Sequence, residues 1–247
     1  MHRFFIPPEN ILESQVIFPD YVAYQLAKVL RINKGEECIV FDGTNIEYLV
    51  RLDEINSIKA LGSIVKIIEC SREANIKVSL FQALIKPDRF EYAIQKSVEI
   101  GVHKIIPIIS DRTEYNTPSE SRIKRWNNII RESAEQSGRT TIPSLDLTIN
   151  LDKALKSAPK VSLILWEMEK FKSIKRTLKE IKNNLPKEDL EIAIFTGPVG
   201  GFVSTEIELA IRNDVIPVSL GARILRSETA GLVAATTILY EFGDLEY

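Results

Sequence analysis

Histidine and cysteine are scarce in this chain of 247 residues, with two of each. Cys38 and Cys70 cannot form a metal cluster by themselves, and neither has another Cys or His at ligand spacing. They read as small buried apolar residues. With only His2 and His103 available, a zinc hydrolase or a histidine-dependent triad is nearly excluded. His103 lies beside an apolar run and reads as a structural or surface residue. Long apolar runs are also missing. Segments 105–109 and 161–166 are the longest, far short of the roughly 20 residues that cross a bilayer. No signal-peptide core follows Met1-His2-Arg3-Phe4-Phe5-Ile6-Pro7-Pro8, so a cytoplasmic location is expected. A basic excess is absent as well: the formal charge is -2 and the pI about 5.9. Any nucleic-acid binding must therefore rest on a local patch, on shape and on a few contacts.

What remains is an ordinary globular composition, 45% hydrophobic and 27% charged. The length fits one large α/β domain or two smaller ones. The first 70 or so residues read as a small, mainly β unit. Segment 4–6 forms a short strand ended by Pro7-Pro8, and 20–32 reads as one amphipathic helix with Val22, Leu26, Val29 and Leu30 on a common face. After a turn at Lys34-Gly35 come strands 38–41, 47–52 and 62–68, with a hairpin signal at Asp42-Gly43. Polar segment 69–75 is the linker candidate, dividing the chain into 1–72 and 73–247. Beyond it, strands 78–84, 104–109, 161–166, 191–195 and 215–218 alternate with helices 89–100, 119–137, 172–183, 204–212 and 228–242. This alternation predicts a mostly parallel sheet with helices on both faces.

Ligands of such sheets collect beyond the carboxyl ends of the strands, and two loops there stand out. The first is Thr196-Gly197-Pro198-Val199-Gly200-Gly201-Phe202. Its glycines let a backbone approach a ligand closely, or simply turn sharply. Ser204 or Thr205 is the expected N-cap of the next helix. The loop has neither the Lys-Ser/Thr of a P-loop nor the spacing of a dinucleotide fingerprint. The second is Ser219-Leu220-Gly221-Ala222-Arg223-Ile224-Leu225-Arg226-Ser227-Glu228-Thr229-Ala230. Ser227 can cap the last helix and Glu228 suits its positive first turn. Arg226 has no such structural use, because a cation before a helix start opposes the dipole. It is the residue expected to meet an anion or a polar substrate.

Together these loops resemble the RsmE family, SPOUT-class methyltransferases acting on N3 of a uridine in small-subunit ribosomal RNA. The likeness spans nearly the whole chain. It includes Arg3-Phe4-Phe5-Ile6, Leu26-Ala27-Lys28-Val29-Leu30-Arg31, Lys86 with Arg89 and Glu91, Gln95-Lys96 with Glu99, and Glu135-Gln136 with Arg139 and Pro143. It departs at Val199, where the family usually has Glu, at Ala222, usually Pro, and at Gln25, where a histidine is common. The resemblance implies a trefoil-knotted C-terminal domain, a PUA-like β-barrel that helps hold RNA, and a homodimer. It also implies S-adenosylmethionine as cofactor, in a pocket lined by Leu165, by Thr196, Gly197, Pro198, Gly200 and Gly201, and by Ser219, Leu220, Gly221, Ile224 and Leu225.

For the chemistry, Arg226 is the candidate to stabilise charge on a deprotonated uridine, with Glu228 as base or positioner. Gly200 is expected to leave space for the ligand itself. Arg131, Glu135 and Arg139 recur at helical spacing and form the leading RNA face, unless they are only a solvated face or a dimer contact. Arg125 lies upstream, near Trp126, which is better explained by core packing than by base stacking. Arg3, Arg31, Lys86, Arg89 and Arg112 are further RNA candidates. Two other readings compete: an RNA-binding protein with a degenerate pocket, suggested by Val199, and an unrelated nucleotide-binding enzyme.

Overall fold

The structure is a computed structural model that describes residues 1–70, 72–186 and 189–245. Ser71, inside the expected linker, lies outside the described residues. The chain forms two compact units, one of residues 1–73 with 134–142 and one of 74–133 with 143 onward.

The first unit contains β1 (Arg3–Phe5), β2 (Gln15–Phe18), α1 (Asp20–Tyr24), β3 (Glu37–Phe41), β4 (Ile46–Ile55) and β5 (Ala60–Glu69). They form a five-stranded sheet in the order β1-β3-β4-β5-β2, with β1 parallel to β3 and the other pairs antiparallel. Its core holds Phe4, Val16, Phe18, Leu26, Val40 and Leu52. Strand β2 was not among the expected elements: alternation over four residues is too brief a signal to separate from a loop. The helix expected over 20–32 is also altered. After α1 it continues as a π-helix, Gln25–Leu30, whose wider winding rotates the apolar stripe. Leu26 stays buried while Val29 turns out to solvent. Gly62 of β5 marks a close approach between strands, since a Cβ there would lie 2.5 Å from Val50 Cγ1 and 2.9 Å from the Arg51 carbonyl.

Charge pairs close this unit. The buried Glu47 carboxylate accepts from both Arg3 and Arg72, and from the Cys70 thiol at 3.2 Å. Glu73 accepts from the Arg139 guanidinium at 2.6 Å and from the backbone N–H groups of Thr140 and Thr141 at 2.9 and 3.1 Å. Burial pushes both carboxyls up. For Glu47 the hydrogen bonds from Arg72, Arg3 and Cys70 outweigh it, and for Glu73 the charge and hydrogen bond of Arg139 do so, leaving both below the ordinary carboxylate range.

The second unit comprises β6 (Lys77–Ala83), α2 (Pro87–Ile100), β7 (Lys104–Ile109), α3 (Glu120–Ser137, whose last turn belongs to the first unit), β8 (Ser144–Leu145), β9 (Ile149–Asn150) and α4 (Leu151–Lys156). It continues with β10 (Val161–Leu165), α5 (Ile174–Asn184), β11 (Glu191–Thr196), α6 (Ser204–Arg212), β12 (Ile216–Val218) and α7 (Ser227–Phe242). The sheet runs β12-β10-β11-β6-β7-β8, with β9 also on β7, and every pairing is parallel. Its central strands are buried along nearly their whole length, as a sheet covered on both faces requires. On one face Phe81 and Phe195 stack at 4.3 Å and join Ile106, Ile164, Leu155 and Ile207 in a core. The other face carries α7 against β6 and β11, with α2 and α5 beside it.

Candidate active site

Strands β10, β11 and β12 lie side by side and end together, at Leu165, Thr196 and Val218. The loops beyond them enclose a cavity of about 450 Å³. The residues expected to hold a cofactor all line it: Leu165 and Thr196 at the strand ends, Gly197, Pro198, Gly200 and Gly201 in one loop, and Ser219, Leu220, Gly221, Ile224 and Leu225 in the other. Arg226, Glu228 and Arg89 also reach it. Parallel strands deliver these segments to one edge although they are far apart in the chain.

The glycine loop is tied down from several directions. Gly201 has φ +69°, and its N–H donates to the Pro198 carbonyl at 3.0 Å, closing a turn. Arg112 donates to the Gly200 carbonyl at 2.6 Å, and the Ser227 hydroxyl donates to the Gly197 carbonyl. At the start of α6 the N-cap is Val203, so the expected Ser204 or Thr205 cap is not formed. Buried Glu206 does that work instead, accepting from the Val203 N–H and from the Asp111 N–H, each at 2.9 Å. A side chain on Gly200 would also meet the Arg112 methylenes, 3.1 Å from its Cβ.

The second loop is anchored at its base and open beyond. Ser219 donates its N–H to the Lys172 carbonyl at 2.8 Å and accepts from the Ile174 N–H at 3.0 Å. Gly221, at φ +106°, begins an exposed stretch. Arg226 is the N-cap residue of α7 and is exposed, and neither it nor Arg223 has an ion-pair partner among the described residues. Ser227 is therefore inside the helix, not its cap. Its hydroxyl accepts from Gln82 Nε2 at 3.0 Å and donates across to Gly197, which couples the two loops. Glu228 is 9% exposed and faces Arg89 at 3.7 Å. Its Oε2 is buried without a hydrogen-bond partner, as is Thr196 Oγ1.

The remaining cationic candidates differ in burial and in partners. Arg139 lies beyond the end of α3, with a side chain only 7% exposed, so the expected shared face with Arg131 and Glu135 does not exist. Glu135 instead accepts from the Phe5 N–H at 3.0 Å. Arg3 donates to Glu47 and to the Arg139 carbonyl. Arg3 and Arg139 are thus committed within the first unit, which removes them as RNA contacts. Arg125 is exposed but bidentate with Glu91 at 2.7 and 2.8 Å, and Lys86 pairs with Asp88 at 3.2 Å. Arg31 is exposed and Arg131 half-buried. Trp126 is buried against Phe90, with ring centroids 4.4 Å apart. Cys38 is buried, and burial pushes its thiol up to about 12.

Residue reading missed Gln82, Glu167 and Glu206, and assigned Arg89 only to RNA. No motif singles them out; each acts through a contact between segments distant in the chain.

The chain, with this cavity in its α/β unit and a second, small β-rich unit, is matched by two family models. One, an RNA methyltransferase domain, covers residues 72–239. The other, an RNA methyltransferase PUA domain, covers residues 26–65. Fold, cavity and matches together define an RNA methyltransferase with a PUA domain. The ribosomal RNA small subunit methyltransferase E of Mesomycoplasma hyopneumoniae is 35% identical over 238 residues, covering 96% of this chain and 98% of that one. The protein of the same name from Synechocystis is 32% identical over 238 residues, covering 96% of this chain and 77% of that one. Among solved structures, a putative methyltransferase of Legionella pneumophila in complex with S-adenosylmethionine is 30% identical, with a TM-score of 0.87 and 97% of each chain covered. The ribosomal RNA small subunit methyltransferase E of Neisseria gonorrhoeae, bound to S-adenosylmethionine, is 30% identical, with a TM-score of 0.85 over 97% of each chain. The chain belongs to the ribosomal RNA small subunit methyltransferase E family.

Proposed function

We propose that this chain methylates small-subunit (16S) ribosomal RNA at N3 of a uridine, with S-adenosylmethionine as donor. The observation that carries the reading is the meeting of loops 197–201 and 219–225 around one cavity in a chain of this family. The residues present suit the cofactor: the cavity is nucleoside-sized, and Thr196 Oγ1 and Glu228 Oε2 stand at its wall as buried polar atoms without protein partners. When bound, the cofactor supplies a methyl group activated by its sulfonium charge.

The chain must make uridine N3 nucleophilic. Losing the N3 proton spreads negative charge onto O2 and O4. Arg226 stabilises that charge; its support is an exposed guanidinium at the cavity, free of any ion pair among the described residues. Glu228 accepts the proton directly or through a water, and Arg89 orients its carboxylate. Arg31, Lys86, Arg112, Arg125 and Arg131 remain RNA contacts in this reading, and Arg89 serves both the pocket and RNA.

Residues 1–72 act as a PUA-like RNA-binding β-barrel domain and 73–247 as a trefoil-knotted SPOUT domain. Support for the knot comes from the parallel bridge of Ser219 with Ser173, made through Lys172 and Ile174, so the connection after β10 runs alongside the exit of β12. The protein works in the cytoplasm as a homodimer. Support for the dimer is apolar surface that one chain leaves uncovered, Phe171 at 90% and Ile224 at 82% exposed. The decisive experiment is mass spectrometry of small-subunit ribosomal RNA from cells lacking the protein. N3-methyluridine is expected to disappear, and its persistence at the normal level would reject the assignment.

A further inference from the structure

The cavity's glycine loop is short of hydrogen-bond acceptors. Residues Gly197, Pro198, Val199, Gly200 and Gly201 bring no polar side chain. Three of their carbonyls are already engaged: Gly197 by the Ser227 hydroxyl, Pro198 by the Gly201 N–H and Gly200 by Arg112. One carboxylate nevertheless stands against this loop. Glu167, in the connection after β10, lines the cavity. Its Oε1 and Oε2 lie 2.6 and 3.2 Å from where a Cβ on Gly201 would sit, so the carboxylate rests directly against the glycine. Among the described residues Glu167 has no hydrogen bond or ion pair. The cavity's other carboxylate, the buried Glu228, already faces Arg89.

We infer that Glu167 is a cofactor-binding residue that accepts hydrogen bonds from the vicinal 2′- and 3′-hydroxyls of the nucleoside's ribose. The inference rests on the methyltransferase reading above. A vicinal diol presents two O–H donors side by side, and an ionised carboxylate presents two acceptor oxygens and no donor. Charged acceptors make the stronger hydrogen bonds to such groups. With three of the loop's carbonyls engaged, this side chain is the charged acceptor the diol finds at the loop. Gly201 supplies the left-handed turn against which the carboxylate rests.

Titration calorimetry tests this with two probes, S-adenosylhomocysteine and 5′-methylthioadenosine, the second having the ribose but no amino-acid group. Glu167→Gln should weaken both by about 10- to 100-fold. The melting temperature of the unliganded variant should match wild type, since Glu167 is exposed. A loss seen only with S-adenosylhomocysteine would overturn the ribose assignment in favour of the methionyl ammonium. Unchanged affinity for both would overturn the role altogether. Wild-type protein that binds neither probe would instead refute the parent reading, an outcome distinct from failure of the variant.

Discussion

The networks of the first unit and the cavity of the second use charge in opposite ways. In the first, Glu47 is enclosed by Arg3, Arg72 and Cys70, and Glu73 by Arg139 and two backbone N–H groups. In the second, the cavity keeps Arg223 and Arg226 without ion pairs among the described residues, and leaves Glu228 Oε2 bare. A closed network satisfies its own charges, so its arginines contribute to folding and have little left for a ligand. An open set leaves its electrostatic capacity for a substrate. The contrast explains why arginines that look alike in the sequence differ in use: Arg139 is structural, whereas Arg226 is available for chemistry.

The largest expected effect tests the open side. Arg226→Ala should lower turnover about 10²–10³-fold, the usual loss when a preorganised donor is removed. Its melting temperature and S-adenosylmethionine affinity should stay near wild type, and unchanged turnover would remove Arg226 from the chemistry. The closed side gives the next effect. Arg139→Ala should destabilise the protein by about 2 kcal/mol, because Glu73 loses its charged partner while keeping its backbone donors. Denaturant melts check this, and a silent substitution would break the distinction between the units.

The smallest effect concerns pH. Glu47 and Glu73 have folded pKa values below their unfolded ones. Their contribution is therefore full above the ordinary carboxylate pKa and declines as pH falls through the lowered folded values. Acid melts should show a loss of stability in that window, weakened in Glu47→Gln and Glu73→Gln. A window unaltered in both variants would dissociate these carboxylates from acid sensitivity.

Much of the second unit was legible as periodicity. Helix 204–212 and strand 104–109 were read with the boundaries they have, because buried parallel strands and covering helices carry strong local patterns. The first unit was less legible. Strand β2 is too short to signal itself, and the π-helical winding over Gln25–Leu30 turned Val29 outward against the predicted stripe. At the cavity, glycines and Arg226 stood out because they break local rules for turns and helix starts. Glu206 and Gln82 follow ordinary local rules, and their partners lie far along the chain.

Local chemistry thus determined which segments become strands and helices, where the two strand-end loops fall, and which family the chain resembles. Tertiary structure decided which charges are closed and which stay open. It brought Gln82 onto the Ser227 hydroxyl and that hydroxyl onto the Gly197 carbonyl, set Glu167 against Gly201, and enclosed Arg139 with Glu73. The reason is physical. Backbone propensity and apolar period act over a few residues, whereas the partner of a charged or hydroxyl group is selected by packing among segments whose separation in sequence carries no pattern.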